Sequence, residues 1–293
     1  MTPAKIKTKE FTRLVDFINA RERLRQRKEA NLTPWTKDPI LSQFHFCNID
    51  REHDYVTRWI RRHVSHGLRH YPFWRMTLQL LVCRIFNEPE VLIDVLPYQK
   101  RDDFKDKMRR RRNAGMTMFR GAYMVAAHGT AMPAYLYYAD VLHDASERLF
   151  NEFREQPDTL QEVGDCMVQV RGIGDFIVNQ VCADLRHTYT GWEDYGTFVW
   201  GGPGTKRGLN RLLGRDVKES MPRDMATNLV QELRHKLLGH YRSDSDLWKT
   251  FQDPNNVSNS LCEFDKYRRA QDQVALGEEP SLRRKYTPNP SRI

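Results

Sequence analysis

Strand-like alternation of apolar and polar residues is scarce along these 293 residues, and no internal repeat appears. Without that alternation there is no half-buried sheet to assemble, so the expected fold is all-α. Cysteine is sparse too. Cys47, Cys83, Cys166, Cys182 and Cys262 are scattered, with no CxxC pair among them. An odd, dispersed set excludes a disulfide framework and suits reduced thiols in a cytoplasm, where the chain is expected to work. It also leaves no clustered ligand set for zinc or an iron–sulfur centre. His63, His66 and His70 lie close together but alternate with arginines and lack a second cluster, so neither metal nor cofactor is expected. No apolar run is long enough to span a bilayer. The opening MTPAKIKTKE leads into a charged helix instead of a signal sequence, so no membrane partner is expected. The phosphate-gripping run GxxxxGK[ST] is missing as well.

What is present is ordinary core material with a basic excess. Hydrophobic residues make up 40% and charged residues 29%. That is enough for one large or two small domains with a real core. The formal charge of +9 favours a polyanionic partner, a statement about attraction and not about fold. Residues 11–31 carry Phe11, Leu14, Val15 and Ile18 on one helical stripe, stopped by the Pro- and Trp-bearing LTPWTKDP. In the stretch 40–62, Val56, Trp59 and Ile60 have helical spacing. Pro72 precedes FWRMTLQLLVCRIFN, apolar enough to be central core, with Arg84 and Asn87 as polar exceptions that either cap it or look into a pocket. KDKMRRRR (105–112) is the densest positive run, either a solvated helix face or a contact to the DNA backbone through Arg110 and Arg111. Pro133 opens a helix whose Tyr135, Tyr137 and Tyr138 either stack on bases or pack. Two further helices are expected over 223–238 and 257–270, and the polar tail from Gly277 is expected to be flexible.

The stretch 163–213 organises the rest. Arg171-Gly172-Ile173-Gly174 falls between two apolar-periodic runs, one through Val163, Met167 and Val170, the other through Phe176, Ile177 and Val181. Two glycines one residue apart allow a tight turn, and a helix start just beyond them is a ready anion site. Then comes WGGPGTKRGLNR, a glycine-rich loop opening a basic helix. The turn resembles the helix-hairpin-helix of the DNA glycosylase superfamily, which implies that Arg171, Gly172 and Gly174 meet the DNA backbone.

Five blocks taken together extend the likeness: DPILSQFHFCNIDREHDYVTRWIRR (38–62), FRGAYM (119–124), GIGDFIVNQVCADL (172–185), GGPGTKRGLNRLLG (201–214) and SLCEFDKYRR (260–269). As a set they resemble the helical domain of DNA thymine hypermodification proteins. These are the 5-hydroxymethyluracil DNA kinases and the related thymine pyrophosphorylases or amino acid:DNA transferases. That likeness implies a glycosylase-like helical domain over 38–272, preceded by an N-terminal helix and connector (1–37) and followed by a flexible tail (273–293). It also implies phage or bacterial DNA with modified thymine bases as partner, alongside other enzymes of the pathway, in a host cytoplasm if the source is a phage.

Two departures narrow the chemistry. Glycosylases of this type place a catalytic Asp about five residues before the first of two arginines spaced four apart. Arg207 and Arg211 fit that spacing, and the corresponding position is Gly202, so base excision is not expected. Without a P-loop, this chain alone is not expected to be a kinase. The resemblance then implies a transferase that joins an amino acid amine, such as glycine's, to 5-phosphomethyl- or 5-pyrophosphomethyl-deoxyuridine in DNA. The base must leave the stack for an amine to reach its methylene. Gly202, Gly204, Thr205, Lys206 and Arg207 would cradle the leaving phosphate at a helix start. A carboxylate must take the amine's proton. The candidates are Asp194, Glu193, Glu263 and Asp265, with Lys266 beside them. Asn48, Arg51 and Asp54, at near-helical spacing, either line the site with Arg84 and Asn87 or tie two helices together. On a surface helix, i,i+4 pairing of Glu263 with Tyr267 and of Cys262 with Lys266 would explain this block without catalysis, and Cys262 is either a packing group or a nucleophile.

Overall fold

A computed structural model of the protein describes residues 5–119, 130–282 and 285–286. Thirteen α-helices are found among them, and the sole pairing of extended backbone is an isolated antiparallel bridge between Phe44 and Lys285. The all-α expectation holds. The chain forms two compact units of non-sequential make-up: unit 1 is Met1–Asp54 with Val199–Ile293, and unit 2 is Tyr55–Phe198. The domain therefore does not begin after a separate N-terminal helix. That helix belongs to unit 1's core.

Unit 1 holds α1 (Thr8–Glu29), α2 (Pro39–Gln43), α10 (Pro203–Leu213), α11 (Arg223–His240), α12 (Asp246–Thr250) and α13 (Pro254–Ala275). Leu14, Phe17, Ile18 and Leu24 make α1's buried stripe, and they share one core with Leu209 and Leu212 of α10, Val230 and Leu233 of α11, and Leu261 and Phe264 of α13. Local chemistry sets the helix ends. The Asp38 carboxylate accepts from the Ile40 and Leu41 amides at 2.9 and 2.8 Å, and Asp253 accepts from Asn255 at 2.8 Å. Proline occupies the first turn of α2, α10 and α13, where a missing N–H costs nothing. The stretch 40–62 is not one helix: α2 is brief, residues 44–50 form a loop, and Arg51–His53 makes a 3₁₀ turn. The tail is partly anchored. Tyr286 donates its amide to Gln43 at 2.7 Å, and its ring meets Trp35 and His45.

The closest helix pairing in unit 1 sets α10 against α13. A Cβ on Gly208 would lie 2.5 Å from the Leu261 carbonyl oxygen, and one on Gly204 would overlap the Cys262 sulfur. Both glycines suit this approach, because a Cβ at either position would force a neighbour to shift.

Unit 2 holds α3 (Tyr55–Ile60), a π turn (Arg61–Ser65), α4 (Phe73–Phe86), α5 (Pro89–Val95), α6 (Arg101–Asn113), α7 (Ala134–Glu152), α8 (Leu160–Val168) and α9 (Asp175–Thr188). As expected, α4 is central, buried from Met76 through Phe86. It packs on α7 and α9, and α8 and α9 form the hairpin. Thr159 and Glu162 make a reciprocal capping box at the start of α8. Of the 119–124 block only Phe119 lies within the described residues, its ring stacked 5.1 Å from Phe86.

Candidate functional site

In unit 1, α13 carries two polar stripes on different faces. The first runs Asn256, Asn259, Glu263, Lys266, a 3-4-3 spacing that keeps all four on one side. The loop 45–51 lies along it, running the opposite way. Asn256 accepts from the Arg51 amide at 3.1 Å, and Asn259 both donates to the Asn48 carbonyl at 3.0 Å and accepts from Arg51 Nη1 at 3.2 Å. Glu263 Oε2 accepts from the Cys47 amide at 2.9 Å and from Lys266 at 3.3 Å, while Lys266 donates to the His45 carbonyl at 2.6 Å. Asp54 closes the loop on itself. Its Oδ1 accepts from the Asn48 amide and side chain at 3.1 and 3.0 Å, and its Oδ2 pairs with Arg51 Nε at 2.8 Å. Arg21 reaches Asn48 Oδ1 at 2.6 Å and the Phe46 carbonyl at 3.0 Å from below.

The second stripe, Ser258, Cys262, Asp265 and Arg269, faces α10. Thr205 Oγ1 lies 3.1 Å from the Ser258 carbonyl and 2.9 Å from its hydroxyl. Asp265 is fully buried, and three guanidiniums converge on it: Arg207 Nε at 2.8 Å, Arg211 Nε at 2.9 Å and Arg269 Nε at 3.4 Å. Cys262 packs against Gly204 of α10. Burial pushes its thiol up to about 12, Glu263 adds to the rise, and Arg207 opposes it. A thiol so placed carries little thiolate near neutral pH, which argues against Cys262 as a nucleophile.

These contacts revise part of the expected cradle. Gly204 is pressed on Cys262 and the Thr205 hydroxyl is committed to Ser258, so neither offers itself to a phosphate. Gly202 is the buried N-cap of α10, its carbonyl taking the Lys206 amide at 3.0 Å. Lys206 and Arg207 are half-buried and stay with the site. So do Asn48, Arg51, Glu263 and Lys266, which the fold brings together along α13. Asp265 is spent on three arginines.

The other candidates fall in unit 2, and several have structural work there. Both oxygens of Asp194 hold the first turn of α8, accepting from the Leu160 and Gln161 amides at 2.9 Å each. Arg84 forms a two-pronged pair with the fully buried Asp184, its Nε 2.6 Å from Oδ2, and Arg61 joins at 2.8 Å. Burial raises the Asp184 carboxyl, but Arg84 and Arg61 outweigh it and hold the group below the usual carboxylate range. Asn87 is the buried C-cap of α4 in the left-handed conformation, φ 49°. Arg111 is only 3% exposed and is spent on Asp94, Glu90 and Thr117, which withdraws it from DNA contact, whereas Arg110 stays exposed. Lys105, Lys107 and Arg109 of the same run pair with Asp140, Asp103 and Asp106. Tyr135, Tyr137 and Tyr138 are buried and pack instead of presenting a stacking platform. In the hairpin turn, Gly172 has φ +98° and would meet Tyr137 if it had a Cβ, while Arg171 and Gly174 are exposed.

Sequence reasoning missed Asn256, Asn259, Asp184, Arg21 and Arg269. Only the first two left a trace, the run NNVSNS (255–260), too polar for a helix that is buried at every one of these positions. Among the described residues no group of three or more His, Cys, Asp or Glu is placed to hold a metal, and no helix is long and apolar enough to cross a membrane.

Residues 8–275 match the family described as 5-hmdU DNA kinase, helical domain, and the chain belongs to that family. It is similar to the 5-hmdU DNA kinase of Bacillus phage SP10, 26% identical over 228 residues, which covers 66% of this chain and 35% of the relative. The chain thus spans about a third of that protein's length. No solved structure matches it.

Proposed function

We propose that this protein is a transferase of DNA thymine hypermodification. It joins an amino acid amine, glycine's being the simplest, to the 5-methylene of 5-phosphomethyl- or 5-pyrophosphomethyl-deoxyuridine. The amine nitrogen forms a bond to the methylene carbon. The bond from that carbon to oxygen breaks, and (pyro)phosphate leaves with the electron pair. The amine's proton passes to a carboxylate. Family membership supports the modified-base substrate, and the +9 charge supports DNA. One observation carries the choice of a transferase. Glu263 is 7% exposed, its Oε2 is anchored by Cys47 and Lys266, and its Oε1 makes no hydrogen bond among the described residues. A held carboxylate with one open oxygen is what a proton acceptor needs. Arg207 of α10 packs on the neighbouring face of α13, so the same helix pair supplies cationic charge for a leaving phosphate. Lys206 adds to that charge. The hairpin's likeness to glycosylases supports extrusion of the base before reaction.

A second reading is a base-presenting module that works beside a separate kinase. The family description, a helical domain, favours it. The deciding experiment incubates the protein with DNA containing either phosphorylated base plus glycine or other amines, followed by mass analysis of nucleosides. An aminomethylated nucleoside supports the transferase. Unchanged nucleosides with every amine, despite tight DNA binding, refute it in favour of the module.

A further inference from the structure

Arg207 and Arg269 come from different helices, one on α10 and one on α13, yet both turn Nε toward the same oxygen of Asp265, at 2.8 and 3.4 Å. Asp265 has no exposed surface, whereas the two arginine side chains are 35% and 45% exposed. A guanidinium that meets a carboxylate through Nε still has its two Nη groups to offer, in the planar fork that matches a phosphate's oxygens. Neither arginine makes an Nη hydrogen bond among the described residues. The third arginine differs. Arg211 is 13% exposed and its Nη1 is taken by Asp272 at 3.1 Å. Locally the charges are three arginines against Asp265 and Asp272, a surplus of one positive charge. A buried anion that orients two exposed cations costs chain entropy before any ligand arrives, and so lowers the cost when one does.

The geometry points to a two-arginine clamp, Arg207 and Arg269 pinned by Asp265, that grips a phosphate oxyanion. Arg269 is new to the site, and Asp265 is a positioning residue and not a base. The clamp rests on the reading that the protein works on DNA. The phosphate is either a backbone phosphodiester or the (pyro)phosphate on the base.

The test uses the full chain, with Arg207→Gln, Arg269→Gln and, as a comparison, Arg211→Gln, each checked by thermal melting. Affinity for unmodified duplex DNA is measured across a salt series, and affinity for inorganic pyrophosphate by calorimetry. If the clamp holds the backbone, each of the first two variants lowers the salt slope on DNA by about 0.9, the value for one phosphate neutralised. If it holds the base's phosphate, both variants lose pyrophosphate binding while the DNA slope stays. Arg211→Gln changes the melting temperature and neither binding readout. Wild-type affinities in both Arg207→Gln and Arg269→Gln overturn the clamp, as does a wild-type protein that binds neither probe. Loss of phosphate binding in a protein that makes no aminated product with any amine upholds the clamp and refutes the transferase.

Discussion

Replacing Asp184 by Asn should be the most destabilising isosteric change in unit 2. The carboxylate is fully buried and accepts from Arg84 Nε and Nη2 and from Arg61 Nη1. An amide keeps the shape but has one oxygen where three N–H groups converge, and it turns its own NH₂ toward a cation. Arg61, 14% exposed, relaxes toward water, but Arg84, 3% exposed, does not. The cost is therefore set by one stranded buried charge, about 3–5 kcal/mol. That corresponds to a drop in melting temperature of roughly 6–20 °C if unit 2 unfolds cooperatively. The pH dependence has a fixed sign. The folded carboxyl titrates below its unfolded value of about 3.9, so its contribution is complete above that pH and is lost as pH falls through the lower, folded value. The gap between wild type and Asp184→Asn should thus stay constant from pH 8 to 5 and close only in stronger acid. Denaturant unfolding at several pH values measures it. A gap under about 1 kcal/mol, or one already shrinking at pH 6, refutes the argument. The pair Asp184→Leu with Arg84→Met should recover most of the loss, because a well-packed apolar pair replaces a buried ion pair at little cost.

Gly208→Ala should cost about 1–3 kcal/mol despite alanine's better helix propensity, since its methyl meets the Leu261 backbone, which cannot swing aside as a side chain would. Equal or higher stability in a melt would show that α10 can move off α13 freely. Lys206→Ala should abolish turnover and leave the melting curve unchanged, and full activity would remove this residue from the mechanism. Cys262→Ala should keep turnover within a few-fold, because burial holds the thiol protonated, and a hundredfold loss would reinstate it as a reacting group. Glu263→Gln should keep DNA affinity but lose product formation, and wild-type rates would reassign the proton acceptor.

The candidate residues were legible in the chain to different degrees, for physical reasons. Asn48, Arg51, Glu263 and Lys266 stand in polar blocks, and near-helical spacing already grouped Asn48 and Arg51 with Asp54. That the backbone of residues 45–51 is the partner of Glu263 and Lys266 could not be read, because hydrogen bonds to main-chain atoms leave no pattern in side-chain order. Arg84 was conspicuous as a charge on an apolar helix, but its partner Asp184 lies 100 residues away and looks like any helical acid. The KDKMRRRR run is the densest positive stretch of the chain. Pairing with Asp103, Asp106, Asp140 and Asp94 removes most of that charge.

By itself the sequence determined the helical class, the central place of α4, the hairpin around Gly172 and the basic character of the chain. All of these follow from periodicity, turn chemistry and composition, which are local or additive properties. Only the tertiary structure decided what the glycine-rich loop is for. GPGTKRG reads as a phosphate cradle, but Gly204 and Gly208 are glycines because α13 passes within contact of their α-carbons. Close helix packing and phosphate binding both require residues without a Cβ, and a chain met only in one dimension cannot distinguish them. Nor can it show that an acid and three arginines on two helices share one buried point at Asp265.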